Sequence, residues 1–146
     1  MRKLDELISR LKSFEDDIIK VIGEVVLEND NIILGMNAGD QLFQKGITRT
    51  GVEIASFAPY APLTIKIKKL KGQPTSRVTL RDEGDFHMSF YIEYQADGFQ
   101  IKADDWKTED LMLRYGDEIL GLTDDNFSEF ANDYVKPALA ELLKKL

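Results

Sequence analysis

Residues 86–103 read FHMSFYIEYQADGFQIKA, and they carry the clearest β-strand pattern in the chain. Apolar and other side chains alternate over Phe86–Tyr94, which is typical of a strand with one buried face. The alternation returns over Phe99–Ala103, and Ala96-Asp97-Gly98 between the two runs favours a tight turn. The sequence therefore predicts an antiparallel β-hairpin at about residues 86–104.

Helical patterns precede the hairpin. Apolar residues recur at spacings of three and four, which indicates an amphipathic helix: Leu4, Leu7, Ile8, Leu11, Phe14, Ile18, Val21, Ile22 and Val25. Ser13 is followed by three acidic residues and could cap a second helix, so the stripe predicts either one helix or two. The apolar run Ile32–Phe43 favours a further helix ended by Gly46, with a strand as the alternative.

Two short elements and a C-terminal helical region complete the pattern. Thr64–Leu70 predicts a short helix, and Arg77–Leu80 predicts a third strand beside the hairpin. Thr108 opens a helix that Gly116 ends, and Thr123 opens the last one, which Pro137 kinks or restarts. Three aromatic residues are expected to be buried by this last helix: Phe127, Phe130 and Tyr134.

The length of 146 residues suits one domain. We therefore predict an α+β fold in a single domain over residues 1–146, with N-terminal helices, a small antiparallel sheet and C-terminal helices. Apolar residues make up 43% of the chain and charged residues 31%, which is typical of a folded domain. The chain has no cysteine and no apolar run of about 20 residues. We expect no membrane partner and synthesis in a reducing, cytoplasmic compartment.

Charge is distributed unevenly along the chain. Between Thr64 and Arg81 there are six bases and no acid, whereas Asp82–Asp133 contains fifteen acids and three bases. This polarity either orients the protein against a partner or another copy of itself, or reflects two solvated faces. The net charge of −7 argues against a protein that coats nucleic acid over its whole surface.

Residues typical of catalysis form no convincing set. His87 has neither a cysteine nor an evident serine partner, and we expect it on the outer face of the hairpin, at the surface or in an interface. Carboxylates could converge on a metal ion, but their spacing does not require it; the candidates are Asp82, Asp85, Asp104 and Asp105. No glycine-rich phosphate loop is present. We therefore predict no catalytic site, no metal site and no cofactor.

The candidate binding residues are the six bases of the segment 64–81, namely Lys66, Lys68, Lys69, Lys71, Arg77 and Arg81. Phe57 and Tyr60 lie close to them in sequence, and such a composition can grip a phosphate backbone and stack on bases. The alternative is a lysine-rich helix face that contacts only solvent. The partner of this segment is thus a protein, a nucleic acid or neither.

A looser pattern extends from Gln41 to Leu122. Its residues are Gln41-Leu42, Gly46-Ile47, Gly51, Tyr60, Thr64, Lys68, Gly72, Pro74, Val78-Thr79-Leu80, Gly84-Asp85-Phe86, Ser89-Phe90, Phe99-Gln100-Ile101, Tyr115-Gly116 and Gly121-Leu122. The order of these parts resembles that of the virion-morphogenesis and tail-completion (head-tail joining) proteins of tailed phages and prophages. The chain looks like a divergent member of that family. Glu83 stands where that family usually has threonine.

The resemblance implies a structural protein, not an enzyme, that acts at the tail terminus or the head-tail joint. Its partners would be other virion proteins and further copies of itself arranged in a ring, and it would end in the virion after synthesis in the host cytoplasm. The alternatives are a nucleic-acid-binding accessory protein that uses residues 64–81 and a metal-dependent hydrolase built on the acids.

Overall fold

The computed structural model describes residues 2–96 and 98–145. Within them, the α-helices are α1 (Arg2–Glu28), α2 (Asp30–Gly35), α3 (Pro62–Leu70), α4 (Asp85–Met88), α5 (Thr108–Tyr115), α6 (Asp124–Phe130) and α7 (Lys136–Leu143). Two π-helical segments are Met36–Lys45 and Ala131–Val135, and two 3₁₀ turns are Ile54–Ser56 and Asp117–Ile119. The strands are β1 (Phe90–Gln95) and β2 (Gly98–Ala103). The predicted α+β class with helices at both ends is confirmed.

The chain divides into two compact units, which are described separately below. One unit contains residues 30–127, and the other combines residues 1–29 with residues 128–146. The single domain predicted from the sequence stays a prediction.

The hairpin forms with the predicted antiparallel pairing but starts later than expected. Phe90 pairs with Ala103 and Ile92 with Ile101, and an ion pair of 2.6 Å joins Lys102 to Glu93 across the strands. The first strand begins at Phe90, so the predicted boundary near residue 86 is wrong. Asp97 of the predicted turn lies outside the described residues.

Residues 85–88 form the short helix α4 instead of extending β1. Gly84 has φ of +97°, which turns the chain into this helix. Phe86 and Phe90 are both buried, and their rings meet edge to face with centroids 5.0 Å apart. A spacing of four keeps two side chains on one face in a helix as well as in a strand, so the sequence pattern suited both structures.

Arg77–Leu80 does not join the sheet, so the third predicted strand is wrong; among the described residues the sheet has two strands. Side chains, instead of a neighbouring strand, form hydrogen bonds with the backbone of this segment. The backbone N–H of Thr79 donates to the Tyr60 hydroxyl at 3.0 Å, and its carbonyl accepts from Nε2 of His87 at 2.9 Å. Leu80 then adopts φ of +55°, which ends the extended backbone.

Asn37 and Gln41 anchor the first π-helical segment, Met36–Lys45, to the chain that follows α5. The Asn37 amide donates to the carbonyl of Ile119 at 3.0 Å and accepts from the backbone N–H of Gly121 at 2.9 Å. The Gln41 amide donates to the carbonyl of Gly121 at 2.8 Å and accepts from the backbone N–H of Thr123 at 2.9 Å. Both side chains are fully buried, and all four bonds are made to backbone groups. They attach the segment to residues 119–123 as the backbone bonds of a strand pairing would.

The second unit is helical. One uninterrupted helix, α1, runs from Arg2 to Glu28 and contacts α7 and the second π-helical segment, Ala131–Val135. Val25, Val26 and Phe130 are buried, and the ring of Phe130 stacks on that of Tyr134 with centroids 5.1 Å apart. None of the helices in residues 2–96 and 98–145 has the length and apolarity needed to cross a membrane.

The C-terminal helical region follows the sequence pattern with one exception. The Thr123 hydroxyl accepts the backbone N–H of Asn126 at 3.2 Å, as expected of a helix cap, and Pro137 lies in the first turn of a new helix, α7. Phe127 was expected to be buried but is 54% exposed, so this prediction is wrong.

Candidate interaction surface

The short helix α3 turns a lysine towards the protein interior and apolar side chains towards solvent. Lys68 is only 8% exposed, and its amine donates to the carbonyl of Arg81 at 3.2 Å and to the side-chain oxygen of Gln73 at 3.3 Å. The same amine lies 4.9 Å from the centre of the Tyr60 ring. These contacts satisfy the buried charge with carbonyl oxygens and an aromatic face, so Lys68 holds α3 in place.

The outer face of α3 is apolar. Leu63 is 68% exposed, Ile67 44% and Leu70 88%. Spacings of four and three place these three side chains on one side of the helix, away from Lys68. We call Leu63, Ile67 and Leu70 the α3 face. Such a contiguous exposed apolar stripe is typical of a surface that contacts another molecule.

Exposed lysines border the α3 face. Lys66 and Lys69 lie on one side of it and project into solvent. Lys71, just beyond the helix, forms an ion pair of 2.9 Å with Asp82. The hydrogen bond and the charge of Asp82 raise the pKa of Lys71, and the hydrogen bond from Lys71 lowers the pKa of Asp82. The border of the α3 face is therefore positively charged at Lys66 and Lys69, whereas Asp82 neutralises the charge of Lys71.

Arg77 and Arg81 flank the ring of Phe43. The guanidinium groups lie 5.5 Å and 4.8 Å from its centre, and the Arg77 side chain also donates to the carbonyl of Phe43. These contacts attach the loop after α3 to the first π-helical segment. The structure thus does not bring the six candidate bases together: Lys68, Arg77 and Arg81 make internal contacts, Lys71 pairs with an acid, and Lys66 and Lys69 border the α3 face.

A second exposed apolar surface lies on α5. Trp106 is 81% exposed and Leu113 80%, and with Met112 they line a shallow groove. Carboxylates border this groove, namely Asp105, Glu109 and Asp117. We call it the α5 groove. Sequence reasoning missed it, although a tryptophan between two acidic runs was a usable signal, because exposed tryptophan is enriched in protein interfaces.

The α5 groove and α3 lie on opposite sides of α5. Leu111 and Tyr115 line a small cavity together with Lys68 of α3. Leu113 lies about 200° around the helix axis from Leu111, since each residue of an α-helix turns the chain by about 100°. The unit of residues 30–127 therefore presents two different apolar surfaces, one bordered by lysines and one mainly by carboxylates, with the Lys107 amine 5.6 Å from the centre of the Trp106 ring.

His87 is held inside this unit instead of on an outer strand face, so its predicted surface position is wrong. Because the carbonyl of Thr79 can only accept a hydrogen bond, Nε2 of His87 carries the proton. Burial lowers the pKa of His87 to about 4, although the bond to Thr79 opposes this shift. The histidine is thus neutral near pH 7 and fixes the loop that contains Thr79.

Two of the four acidic side chains considered as metal ligands, Asp82 and Asp105, bind protein groups. Asp82 accepts from Lys71 and from the side-chain amide of Gln73 at 3.0 Å. Asp105 accepts the backbone N–H of Lys107 at 3.1 Å. In residues 2–96 and 98–145, no group of three or more histidine, aspartate or glutamate side chains has an arrangement that could hold a metal ion.

The sequence matches no protein-family model, and neither a curated protein nor a solved structure matches it.

Proposed function

We propose that this protein is a structural component of a phage or prophage particle that acts in virion assembly at the tail terminus or the head-tail joint. In this role, copies of the chain contact one another head to tail in a ring, and the surfaces that stay exposed on the ring bind other virion proteins. One observation carries the proposal: the α3 face and the α5 groove are both apolar, have borders of opposite charge and lie on opposite sides of α5.

A head-to-tail assembly requires this kind of arrangement. Each copy must offer two different surfaces that fit each other, because a ring uses a heterologous contact. Here the side chains of Leu63, Ile67 and Leu70 would pack against Trp106 and Leu113 of the next copy. Lys66 and Lys69 would then face the carboxylate border, so charge would set the orientation and burial of apolar area would supply most of the affinity.

The sequence pattern from Gln41 to Leu122 supports the same role from an independent direction, since it resembles tail-completion proteins. The polarity between residues 64–81 and 82–133 reappears in the structure as the two charged borders. The nucleic-acid alternative stays a prediction, and the folded chain leaves Lys66 and Lys69 as its main exposed contacts on α3.

A mixing experiment tests the head-to-tail contact. Leu70→Glu disables the α3 face, and Leu113→Glu disables the α5 groove. Each variant alone is expected to form smaller assemblies than the wild type in analytical ultracentrifugation. Mixing the two variants is expected to raise the mean mass above that of either one, because each retains the surface that the other lacks.

Met88→Glu is the matched control, since Met88 is 83% exposed in the same unit but belongs to neither surface. It should assemble like the wild type. If mixing Leu70→Glu with Leu113→Glu leaves the mean mass unchanged, the head-to-tail contact is wrong. Raising NaCl from about 0.05 M to 0.5 M should weaken the contact, because salt screens the charged borders.

Three further observations separate the virion role from the alternative. Neighbouring genes that encode portal, capsid and tail proteins, and detection of this chain in purified particles by mass spectrometry, would support the virion role. A salt-sensitive gel shift with DNA or RNA that disappears in Lys66→Glu/Lys69→Glu would instead support nucleic-acid binding.

A further inference from the structure

The first half of α1 carries an apolar stripe that is about half exposed in the folded chain. Leu4 is 50% exposed, Leu7 52%, Ile8 41% and Leu11 56%. Spacings of three and four place these side chains on one face of a helix of 27 residues, which is about 40 Å long. Single exposed apolar side chains are common, but four on one face are typical of a contact surface.

The stripe has the repeat of a coiled coil. Written as heptads, positions a and d are all apolar over three successive repeats: Leu4, Leu11, Ile18 and Val25 at a, and Leu7, Phe14 and Val21 at d. A seam of this kind packs against a second helix with the same repeat, with each side chain inserted among four of the partner.

The chain's own helices cover only part of this seam. Val25 is buried, whereas Phe14, Ile18 and Val21 are partly exposed although α1 contacts α7 and the second π-helical segment. A pair of helices buries one side of each and leaves the other sides open. Two such pairs can close a shared core as a four-helix bundle.

We propose that α1 binds α1 of a second copy of this chain in antiparallel orientation around a twofold axis. In this register Leu11 packs against Phe14 of the second copy, Leu7 against Ile18, and Leu4 against Val21. The exposed first half of each helix thereby lies on the partly exposed second half of the other.

The charges beside the seam select this orientation. The residues at position g are Lys3, Arg10, Asp17 and Glu24, two bases followed by two acids, and all four are exposed. Antiparallel helices bring g beside g, which places Lys3 next to Glu24 and Arg10 next to Asp17 of the second copy. Every g position then has an opposite charge as its partner.

A parallel dimer would use these charges less well. It would bring g beside e, which pairs Arg10 with Glu15 but places Lys3 beside Ile8 and Asp17 beside Ile22. Exposed ion pairs contribute little to affinity, but they discriminate between orientations of the same apolar seam. The antiparallel arrangement is therefore the one that the sequence of α1 favours.

This contact is isologous, since the same surface is used on both copies, and it is independent of the head-to-tail contact proposed above. To keep the two separate, every chain in the following tests also carries Leu70→Glu. Failure of the α1 contact would leave the Leu70 and Leu113 mixing experiment unaffected.

Light scattering coupled to size exclusion tests the dimer. The Leu70→Glu chain should be a dimer at micromolar concentration, and adding Leu7→Glu/Leu11→Glu should raise the dimer dissociation constant about a hundredfold or more, because two buried leucines per helix become charged. Ser9→Glu/Ser13→Glu adds equal charge on the exposed opposite face and should leave the dimer unchanged. A chain that is monomeric at about 100 µM, or that binds lipid vesicles through these leucines instead, would overturn the proposal.

Charge reversal tests the orientation. Arg10→Glu and Asp17→Arg should each weaken the dimer severalfold, since each creates a like-charge pair across the seam, and Arg10→Glu/Asp17→Arg should restore it. These residues are seven apart on one helix and do not contact each other within a chain, so the rescue reports the contact between copies. Absence of rescue would rule out the antiparallel register.

Cross-linking provides a second test, since the chain has no cysteine of its own. A mixture of Leu7→Cys and Ile18→Cys chains should form a disulfide between the two variants under mild oxidation. Leu7→Cys alone should cross-link poorly, because antiparallel helices place the two copies of residue 7 far apart. Efficient cross-linking of Leu7→Cys to itself would indicate parallel helices and contradict the proposal.

Discussion

Asn37 and Gln41 lie four residues apart, and both side-chain amides bond to the backbone of residues 119–123. Each amide donates one bond and accepts one, so both ends of both groups are paired. The Gln41 oxygen also accepts from the amide of Asn126 at 2.9 Å. The attachment of the first π-helical segment to residues 119–123 through these two side chains is therefore polar, and its strength depends on complete pairing.

Removing one of these amides should be costly. Asn37→Ala leaves the carbonyl of Ile119 and the N–H of Gly121 without partners in a buried site, which should lower the free energy of unfolding by about 3 kcal/mol. Gln44→Ala removes an exposed amide from the same segment and should change it by less than about 0.5 kcal/mol. Urea unfolding measures both. A loss below about 1 kcal/mol for Asn37→Ala would show that water replaces the lost bonds.

Gly46 should not tolerate a side chain. Its φ is +65°, and a Cβ atom there would lie 2.9 Å from Cβ of Arg77 and 3.0 Å from the carbonyl oxygen of Val78. Gly46→Ala should lower the free energy of unfolding by about 3 kcal/mol, from backbone strain and from displacement of this loop. Gly51 has φ of +82° with no atom near its Cβ position, so Gly51→Ala should cost only about 1 kcal/mol. Equal losses in thermal unfolding would contradict the close packing at Gly46.

His87 should make the fold less stable in acid. Its pKa is about 4 in the folded chain, against an ordinary value of 6.5. Above pH 6.5 the histidine is neutral in both states, so it adds no pH dependence. As the pH falls from 6.5 to 4 the unfolded chain takes up a proton that the folded chain does not, which should destabilise the fold by about 3 kcal/mol.

The measurement for His87 is direct because the chain has one histidine. Its ring protons should titrate near pH 4 in NMR spectra of the folded protein. His87→Gln keeps a donor for Thr79 without titrating, so its stability should fall less between pH 6.5 and 4 than that of the wild type. A ring that titrates near 6.5 would show that His87 is open to water.

Lys68 should behave differently from its neighbour on the same helix. Lys68→Ala removes a buried stem and two hydrogen bonds, and it should lower the free energy of unfolding by about 2 kcal/mol. Lys69→Ala, at an exposed position, should change it by less than about 0.5 kcal/mol. Chemical denaturation of the two variants compares them. Equal small effects would indicate that Lys68 belongs to the solvent-exposed border.

Much of the fold could be predicted because apolar residues recur at a regular spacing within its helices and strands. The apolar stripe of α1 and the alternation of β1 and β2 each depend on local spacing, which the sequence displays. The error at Phe86 arose because a spacing of four fits both structures. The predicted third strand was wrong because side chains of Tyr60 and His87 satisfy the backbone of Thr79, and such partners are distant in sequence.

The sequence located the candidate surface within residues 64–81, but it did not show which side of α3 faces solvent. The segment 64–81 does contain an exposed surface, the α3 face, but the count of charges suggested that lysines form it. Leu63, Ile67 and Leu70 share one face at helical spacing, and Lys68 lies opposite. A pattern shows which residues share a face, whereas only tertiary packing decides which face turns inward.

The first π-helical segment has a consequence for how this chain can change over time. A π-helical turn contains more residues than an α-helical turn, so shortening the segment by one residue would favour ordinary α-helical geometry. A deletion between Asn37 and Gln41 would also change the spacing of the two buried amides that bond the backbone of residues 119–123. Insertions and deletions in Met36–Lys45 should therefore be selected against more strongly than substitutions, and the length of this segment should be a more durable mark of common descent than its composition.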